Sequence, residues 1–378
     1  MALKKINRED LEPLLEGVAI LGTGGGGSPD WGRGIMLNDF KRGREYTIID
    51  PDEIEDDAVV VSGGIMGSVK TLDNVNFDEL LERWEDNFEL EVAFREMERE
   101  LSKKIDYIVP FEMGGLNTPV ILSLGARVGI PVIDGDALGR AAPETQMTSF
   151  IGHGISLTPM PLVDHVGNVV VVRKAINPVY PDQIGRFIVT RGGGLGANNH
   201  YPMSGRQLKN SVIPNTISKA IEIGRSVINA RNNSKDPVDV FRKKVSGINI
   251  FHGKITEINE EEAEGFYFTK VKLTGLGKDN NSSCELIIKN ETMTCWKNGE
   301  LQIVFPDLLC MLDPKTCRGI MSIELKKNLE VKLVAVACHD RLREGLKHPA
   351  GKIAFSSKRY GQNIKYLPLE ELHKINNE

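Results

Sequence analysis

Carboxylates and glycines occur together at two points of this chain, and glycines with a serine at a third, a combination suited to a polar small-molecule site. Glu112-Met-Gly114-Gly115-Leu-Asn117 is one group. Asp134-Gly-Asp136 running on to Arg140 and Glu144 is the second, and Gly63, Gly64, Gly67 and Ser68 make the third. Carboxylates take up protons, position water or bind a cation. Glycines let a ligand approach the backbone and expose its N–H groups. Glu112, Asp134, Asp136 and Glu144 are therefore the candidate catalytic groups. Gly64, Gly115 and Asn117 are candidate substrate contacts. Arg140 could hold a substrate carboxylate or orient Glu144 through a two-pronged bond. The competing reading of the second group is a cap at Asp136 with an internal Arg140–Glu144 pair, and any of the three groups could be only a turn.

A fourth glycine cluster, Gly22-Thr-Gly-Gly-Gly-Gly-Ser-Pro29, offers Gly24, Gly25 and Gly26 for close approach of an anionic or carbonyl ligand. Gly22, Gly24 and Gly27 also fit the spacing of a dinucleotide fingerprint, with Asp50 beyond. That motif needs a strand before it, however, and the preceding segment reads as a helix. A nucleotide-binding oxidoreductase is thus an alternative with a missing element. The seven histidines are scattered and form neither H-E-x-x-H nor H-x-H, so no local zinc motif exists. If a divalent metal such as zinc takes part, Asp134, Asp136, His153 and His200 are its candidate ligands.

The elements that must position these groups follow from periodicity. Leu11, Leu14, Leu15 and Val18 predict a helix over 8–21, and a second is expected over 32–40. Strands are expected at 46–49 and 58–61, one or two helices over 77–101, a strand at 105–110, a helix over 118–128 and a strand at 130–133. The alternation predicts a mainly parallel α/β sheet, and ligands gather beyond the carboxyl ends of such strands. Further strands are expected at 169–173 and 187–191, and a helix over 216–231. From about residue 246 the pattern is β-rich, with Asn298-Gly299 as a hairpin signal. The acidic run Glu260–Glu262 reads as decoration of a turn. The fold class is α/β: an N-terminal mainly parallel α/β domain over 1–160, then a C-terminal domain over 161–378, mixed α+β to about 245 and β-rich after it.

With 378 residues the chain can bury a full core without staples. A net charge of −5 gives no general attraction to nucleic acid or anionic lipid. No apolar run approaches the roughly 18 residues of a membrane span. The N-terminal residues show no signal-peptide pattern, and the five cysteines are odd in number with no C-x-x-C. A cytoplasmic protein, a homo-oligomer by prior, is expected.

Several of these segments, taken in order, resemble the S-methyl thiohydantoin desulfurase-like family. They are Leu21 to Pro29, Glu112 to Asn117, and Asp134-Gly-Asp136 through Glu144. Beyond them come Gly205, Asn215-Thr-Ile-Ser218 with Gly224-Arg225, Phe251-His-Gly253, Asn290-Glu291, and Pro306-Asp307-Leu308. They span almost the whole chain. The family pattern implies a phenylalanine where this chain has Ala142, which would change pocket size. The resemblance implies a hydrolase for a five-membered nitrogen heterocycle of the hydantoin or thiohydantoin type, with water displacing a sulfur substituent. It also implies a hydantoinase/oxoprolinase-type partner, and hence the alternative of a non-catalytic accessory subunit in such a complex.

Overall fold

Residues 3–67, 76–263 and 266–376 are described by a computed structural model. Its first half contains strands β1 (Lys4–Ile6), β2 (Tyr46–Ile49), β3 (Val59–Gly67), β4 (Tyr107–Pro110), β5 (Val132–Ile133), β6 (Gly135–Asp136), β7 (Met160–Asp164), β8 (Val169–Val172) and β9 (Leu195–Ser204). Eight of them form one sheet in the order β1-β2-β5-β4-β3-β9-β7-β8. At its centre β2, β5, β4 and β3 run parallel, while β1, β9, β7 and β8 join antiparallel. β6 instead pairs with β10 (Ile213–Pro214). The central strands are covered on both faces, so they read as unbroken apolar runs. All four residues of β4 are buried.

The helices of this half are α1 (Leu11–Leu21), α2 (Pro29–Lys41), α3 (Phe77–Asp86), α4 (Glu89–Leu101), α5 (Asn117–Val128), α6 (Ser149–Gly152), α7 (Tyr180–Arg191), α8 (Gly205–Ser211), α9 (Thr216–Asn232) and α10 (Pro237–Lys244). Leu14, Leu15 and Val18 of α1 are fully buried, each side chain contributing about 1.5–3 kcal/mol. α2 begins where Ser28 accepts the Trp31 N–H and Pro29 takes the first turn. The 77–101 segment is two helices, broken at Asn87 where the apolar stripe changes phase.

The second sheet is antiparallel throughout. Its strands are β11 (Ile248–Ala263), β12 (Phe266–Gly275), β13 (Ser283–Lys289), β14 (Glu291–Lys297), β15 (Glu300–Val304), β16 (Leu308–Leu312) and β17 (Glu330–Val336), in the order β15-β14-β13-β12-β11-β17-β16. Asn298 and Gly299 both take positive φ between β14 and β15, the hairpin their pairing predicts. Ile255, Val271, Leu286 and Leu333 make the core of this sheet. The chain then returns through α11 (Asp340–Gly345) and α12 (Pro349–Ala354), which pack on α6, to α13 (Leu369–Ile375). The α/β half followed by a β-rich half is the expected architecture.

Three local expectations change. Residues 187–191 are helical. In the apolar triplet Phe187-Ile-Val189 only Val189 is buried, four residues after buried Gly185, while Phe187 is 58% exposed. The strand expected at 58–61 runs on to Gly67, so Gly63, Gly64 and Gly67 pair with β9 instead of forming a loop; Ser68 lies outside the described residues. Glu260–Glu262 belong to β11 itself. Among the described residues no helix is long and apolar enough to cross a membrane.

Candidate active site

A polar cleft with about 520 Å³ of space, open to solvent on one side, lies where the first sheet meets a turn of the second. Glu112 reaches it from the loop after β4, Asn117 from the start of α5, Gly64 from β3, and Asn198 and His200 from β9. The second sheet contributes Asn290 and Glu291, and the loop after α1 contributes Gly25. Asn290 alone makes the β13–β14 turn, with φ +59°, and Lys289 pairs with Glu291 across it. That tight turn aims Glu291 at the first sheet. A Cβ on Gly25 would stand 2.0 Å from Glu291 Oε1, so only glycine leaves room for the carboxyl there.

Glu112 is held at both oxygens. Asn117 Nδ2 donates to Oε1 at 2.7 Å and the Ala142 N–H to Oε2 at 2.8 Å. Asn117 Oδ1 in turn accepts the Ile65 N–H at 3.1 Å, tying the loop to β3. Burial pushes the Glu112 carboxyl up to about 7, against the opposing pull of these donors and of the Arg140 charge. Burial, then the nearby Glu112, pushes Glu291 up to about 8, with Arg140 opposing. Glu291 Oε2 is buried without a hydrogen-bond partner, as is His200 Nδ1. Burial holds His200 down at about 3, so its ring is neutral. No ion pair reaches Glu112 or Glu291 among the described residues. These two buried carboxyls can exchange protons near neutral pH, next to a neutral imidazole and side-chain amides.

Glu144 lines the same cleft in a different state. Lys289 Nζ lies 2.5 Å from its Oε1, Gln146 Nε2 is 2.7 Å from Oε2, and Arg359 engages both oxygens. Lys289 itself sits 3.9 Å from the Phe266 ring centre. Arg186 covers that ring at 3.7 Å and is anchored on Asp182 at 2.9 Å. Asp182 also accepts the Thr145 N–H and hydroxyl, at 2.9 and 2.6 Å. Every oxygen of the two carboxylates at this end of the cleft is bonded to a donor.

The cleft thus gathers Gly25, Gly64, Gly67, Glu112, Asn117, Ala142, Glu144 and His200 from the residues singled out in the sequence. The others stand elsewhere. Asp134 Oδ1 accepts the Ser218 N–H at 3.0 Å and its Oδ2 the Ser218 hydroxyl at 2.5 Å, in the first turn of α9. Asp136 accepts the Leu138 and Gly139 N–H groups, and burial pushes it up to about 8. Arg140 lies behind the cleft, its Nε on the Ala141 carbonyl and its Nη1 on those of Pro306 and Asp307; it forms no pair with Glu144. Gly24 bonds to Ile320 and Ser322 of the second half. Gly26 and Gly115 serve packing: a Cβ on Gly26 would lie 2.7 Å from Gly114 Cα, and one on Gly115 2.6 Å from the Gly27 carbonyl oxygen. The Gly22–Gly27 run follows α1, not a strand, so the dinucleotide context is missing.

His153 bonds to the Ser149 carbonyl through Nδ1 and has Glu344 3.8 Å from Nε2, away from the cleft. Of the four candidate metal ligands only His200 reaches the cleft, while Asp134, Asp136 and His153 bond to separate neighbours. No group of three or more His, Cys, Asp or Glu side chains is gathered to hold a metal among the described residues. Glu291, Asn198, Arg186 and Thr145 had not been singled out as site residues. For Glu291 a signal existed: Asn290-Glu291 is a polar pair breaking two β-patterned runs, and it is one of the segments that carry the family resemblance.

Two family models match the chain. The one described as S-Me-THD-like, N-terminal domain, covers residues 9–174, and the one described as S-Me-THD-like, C-terminal domain, covers residues 176–369. No curated protein matches. A crystal structure of a protein from Chromobacterium violaceum is similar over 97% of this chain and 100% of its own, with a TM-score of 0.77 at 21% identity; that likeness concerns the fold.

Proposed function

The chain belongs to the S-Me-THD-like family, and from that premise and the chemistry of the cleft we propose that it hydrolyses a small five-membered nitrogen heterocycle of the hydantoin or thiohydantoin type. Water displaces a sulfur substituent from the ring carbon between the two nitrogens. The observation that carries this reading is the pair Glu112 and Glu291: both buried, both without a cationic partner among the described residues, both raised toward neutral pH, and both lining one cleft.

The pair can share one proton, as two carboxyls in a common apolar surrounding do. The ionised member takes a proton from water as the water oxygen bonds to the ring carbon. The electron pair of the ring C=N moves onto nitrogen, which takes the proton of the other carboxyl. The tetrahedral carbon then collapses to a carbonyl, the C–S bond breaks, and the sulfur departs with a proton as a thiol. Water and the heterocycle give a hydantoin-type product and a thiol, with no change of oxidation state. The amides of Asn198 and Asn290 and the neutral imidazole of His200 are suited to hold the ring's carbonyl and N–H groups.

The test is to supply an S-methyl thiohydantoin to the purified chain and follow free thiol with a thiol-reactive dye. Thiol release that disappears in Glu291→Gln, with the fold kept, is expected. No release from any S-alkyl thiohydantoin would overturn the proposal.

A further inference from the structure

A second cavity is lined by Arg140, which does not line the cleft. It has about 760 Å³ of space, continuous with solvent, and apolar walls from Leu21, Leu138, Ile213, Leu308 and Val336. Its polar groups are few, and none is acidic in charge. Arg140, Thr216, Lys219 and His339 line it, and no aspartate or glutamate does.

Arg140 is 2% exposed and forms no ion pair among the described residues. Its neighbours are three backbone carbonyls and the Phe305 ring, 4.7 Å away; among the described residues Nη2 has no acceptor. Its charge is balanced only at a distance, by Glu291 first and also by Asp307, and a buried guanidinium with no bonded carboxylate still favours an anion that reaches it. Thr216 Oγ1 is also buried; it lies close enough to the Asp136 carboxyl to pull that group's pKa down, yet makes no hydrogen bond of good geometry. Thr216 opens the seventeen-residue α9, whose cap residue Asn215 gives no side-chain bond to the helix. Lys219, one turn on, is exposed at the mouth and has no ion pair among the described residues. Burial pushes the Cys338 thiol beside them up to about 12, so it is neutral and does not repel an anion.

We propose that this cavity binds a small organic carboxylate with a compact apolar body, the carboxylate anchored by Arg140, Thr216 and Lys219. The apolar walls select the body and the cationic end selects the charge. A guanidinium and a hydroxyl at one end of an otherwise apolar chamber match a monocarboxylate better than a phosphate, whose other oxygens would face leucines. This inference does not depend on the reaction proposed for the cleft.

The experiment is a calorimetric titration of the full chain with 4-methylpentanoate, its amide and inorganic phosphate. One carboxylate per chain is expected, with the amide and phosphate each roughly tenfold weaker or worse, the loss of one charge-assisted bond. Arg140→Met removes a buried anchor of the fold, so the exposed Lys219→Met and the isosteric Thr216→Val are the informative variants. Each is expected to weaken binding several-fold, while His153→Ala, remote from this cavity, binds as the unmodified chain does. The proposal is overturned by absence of saturable carboxylate binding, by binding that ignores both wall variants, or by phosphate binding equal to that of the carboxylate.

Discussion

Glu112 and Glu144 stand in one cleft and are equally buried, at 3% and 1% exposure, yet their surroundings differ completely. Glu144 meets Lys289, Arg359 and Gln146, while Glu112 meets one amide and one backbone N–H and has Glu291 as a neighbouring acid. Burial is common to both. What differs is whether a cation accompanies the carboxyl into the interior. A carboxyl with two cations is a fastener between segments. One without them is pushed toward neutral pH and becomes able to give and take a proton. Buried acids in a cleft are therefore to be sorted by their partners before any is assigned to chemistry.

The strongest way to break this contrast is to neutralise each kind of carboxyl in turn. Glu291→Gln is expected to lower thiol release about 10²–10⁴-fold with the circular dichroism spectrum kept. Glu144→Gln leaves Lys289 and Arg359 without their counter-charge and is expected to destabilise the fold by about 3–5 kcal/mol, read in urea denaturation. If the two effects changed places, the contrast would be wrong. The glycine loop sharpens it at the next level. Gly25→Ala drives a methyl onto Glu291 Oε1, and the misplaced carboxyl should slow turnover by up to about 100-fold. Gly26→Ala, which meets Gly114 Cα, should instead cost about 1–3 kcal/mol of stability.

Acidity gives a graded version. Glu112, Glu291 and Asp136 all titrate higher in the folded chain than their ordinary values of 4.5, 4.5 and 3.8. Below those ordinary values the acids are protonated whether folded or not, and their contribution to stability is fully present. As pH rises the unfolded chain ionises first, so stability falls up to about pH 7–8. Unfolding measured from pH 4 to 9 should show that decline, and Glu291→Gln should make it shallower. The smallest expected effect is at His153, whose ring meets the Ser149 carbonyl and Glu344 outside the cleft. His153→Ala should leave thiol release unchanged and stability within about 1 kcal/mol.

The sequence was most legible where one local rule decides. Asn298-Gly299 demanded positive φ at two successive residues and produced the β14–β15 hairpin. The stripe of α1 and the buried run of β4 likewise needed no tertiary information. Residues 187–191 were not legible, because three apolar residues in a row fit a strand and only packing shows that Phe187 faces solvent. The site was legible in part for the same reason. Glu112, Asn117 and Glu144 lie in the segments where acids and glycines cluster, and they do reach the cleft. Asp134 and Asp136 look identical in sequence, yet N–H groups capture both: Asp136 by the local cap that the sequence offered as a competing reading, Asp134 by Ser218, which nothing near it in sequence reveals. Glu291 comes from another sheet, so its meeting with Glu112 depends on how the two sheets pack.

The loop after α1 carries a consequence for how the molecule comes into being. Thr23 Oγ1 bonds to the carbonyls of Met311 and Ile320, nearly three hundred residues away, and Gly24 is zipped to Ile320 and Ser322. Glu144 waits for Arg359 across 215 positions. An N-terminal segment leaving the ribosome cannot satisfy those groups with its own residues. Closing such long spans is slow and leaves partly built surfaces exposed in the meantime. The cleft is thus among the last features to form during synthesis. A chain interrupted before β16 would carry Glu112, Glu144 and Glu291, yet lack the threads that hold the glycine loop against them.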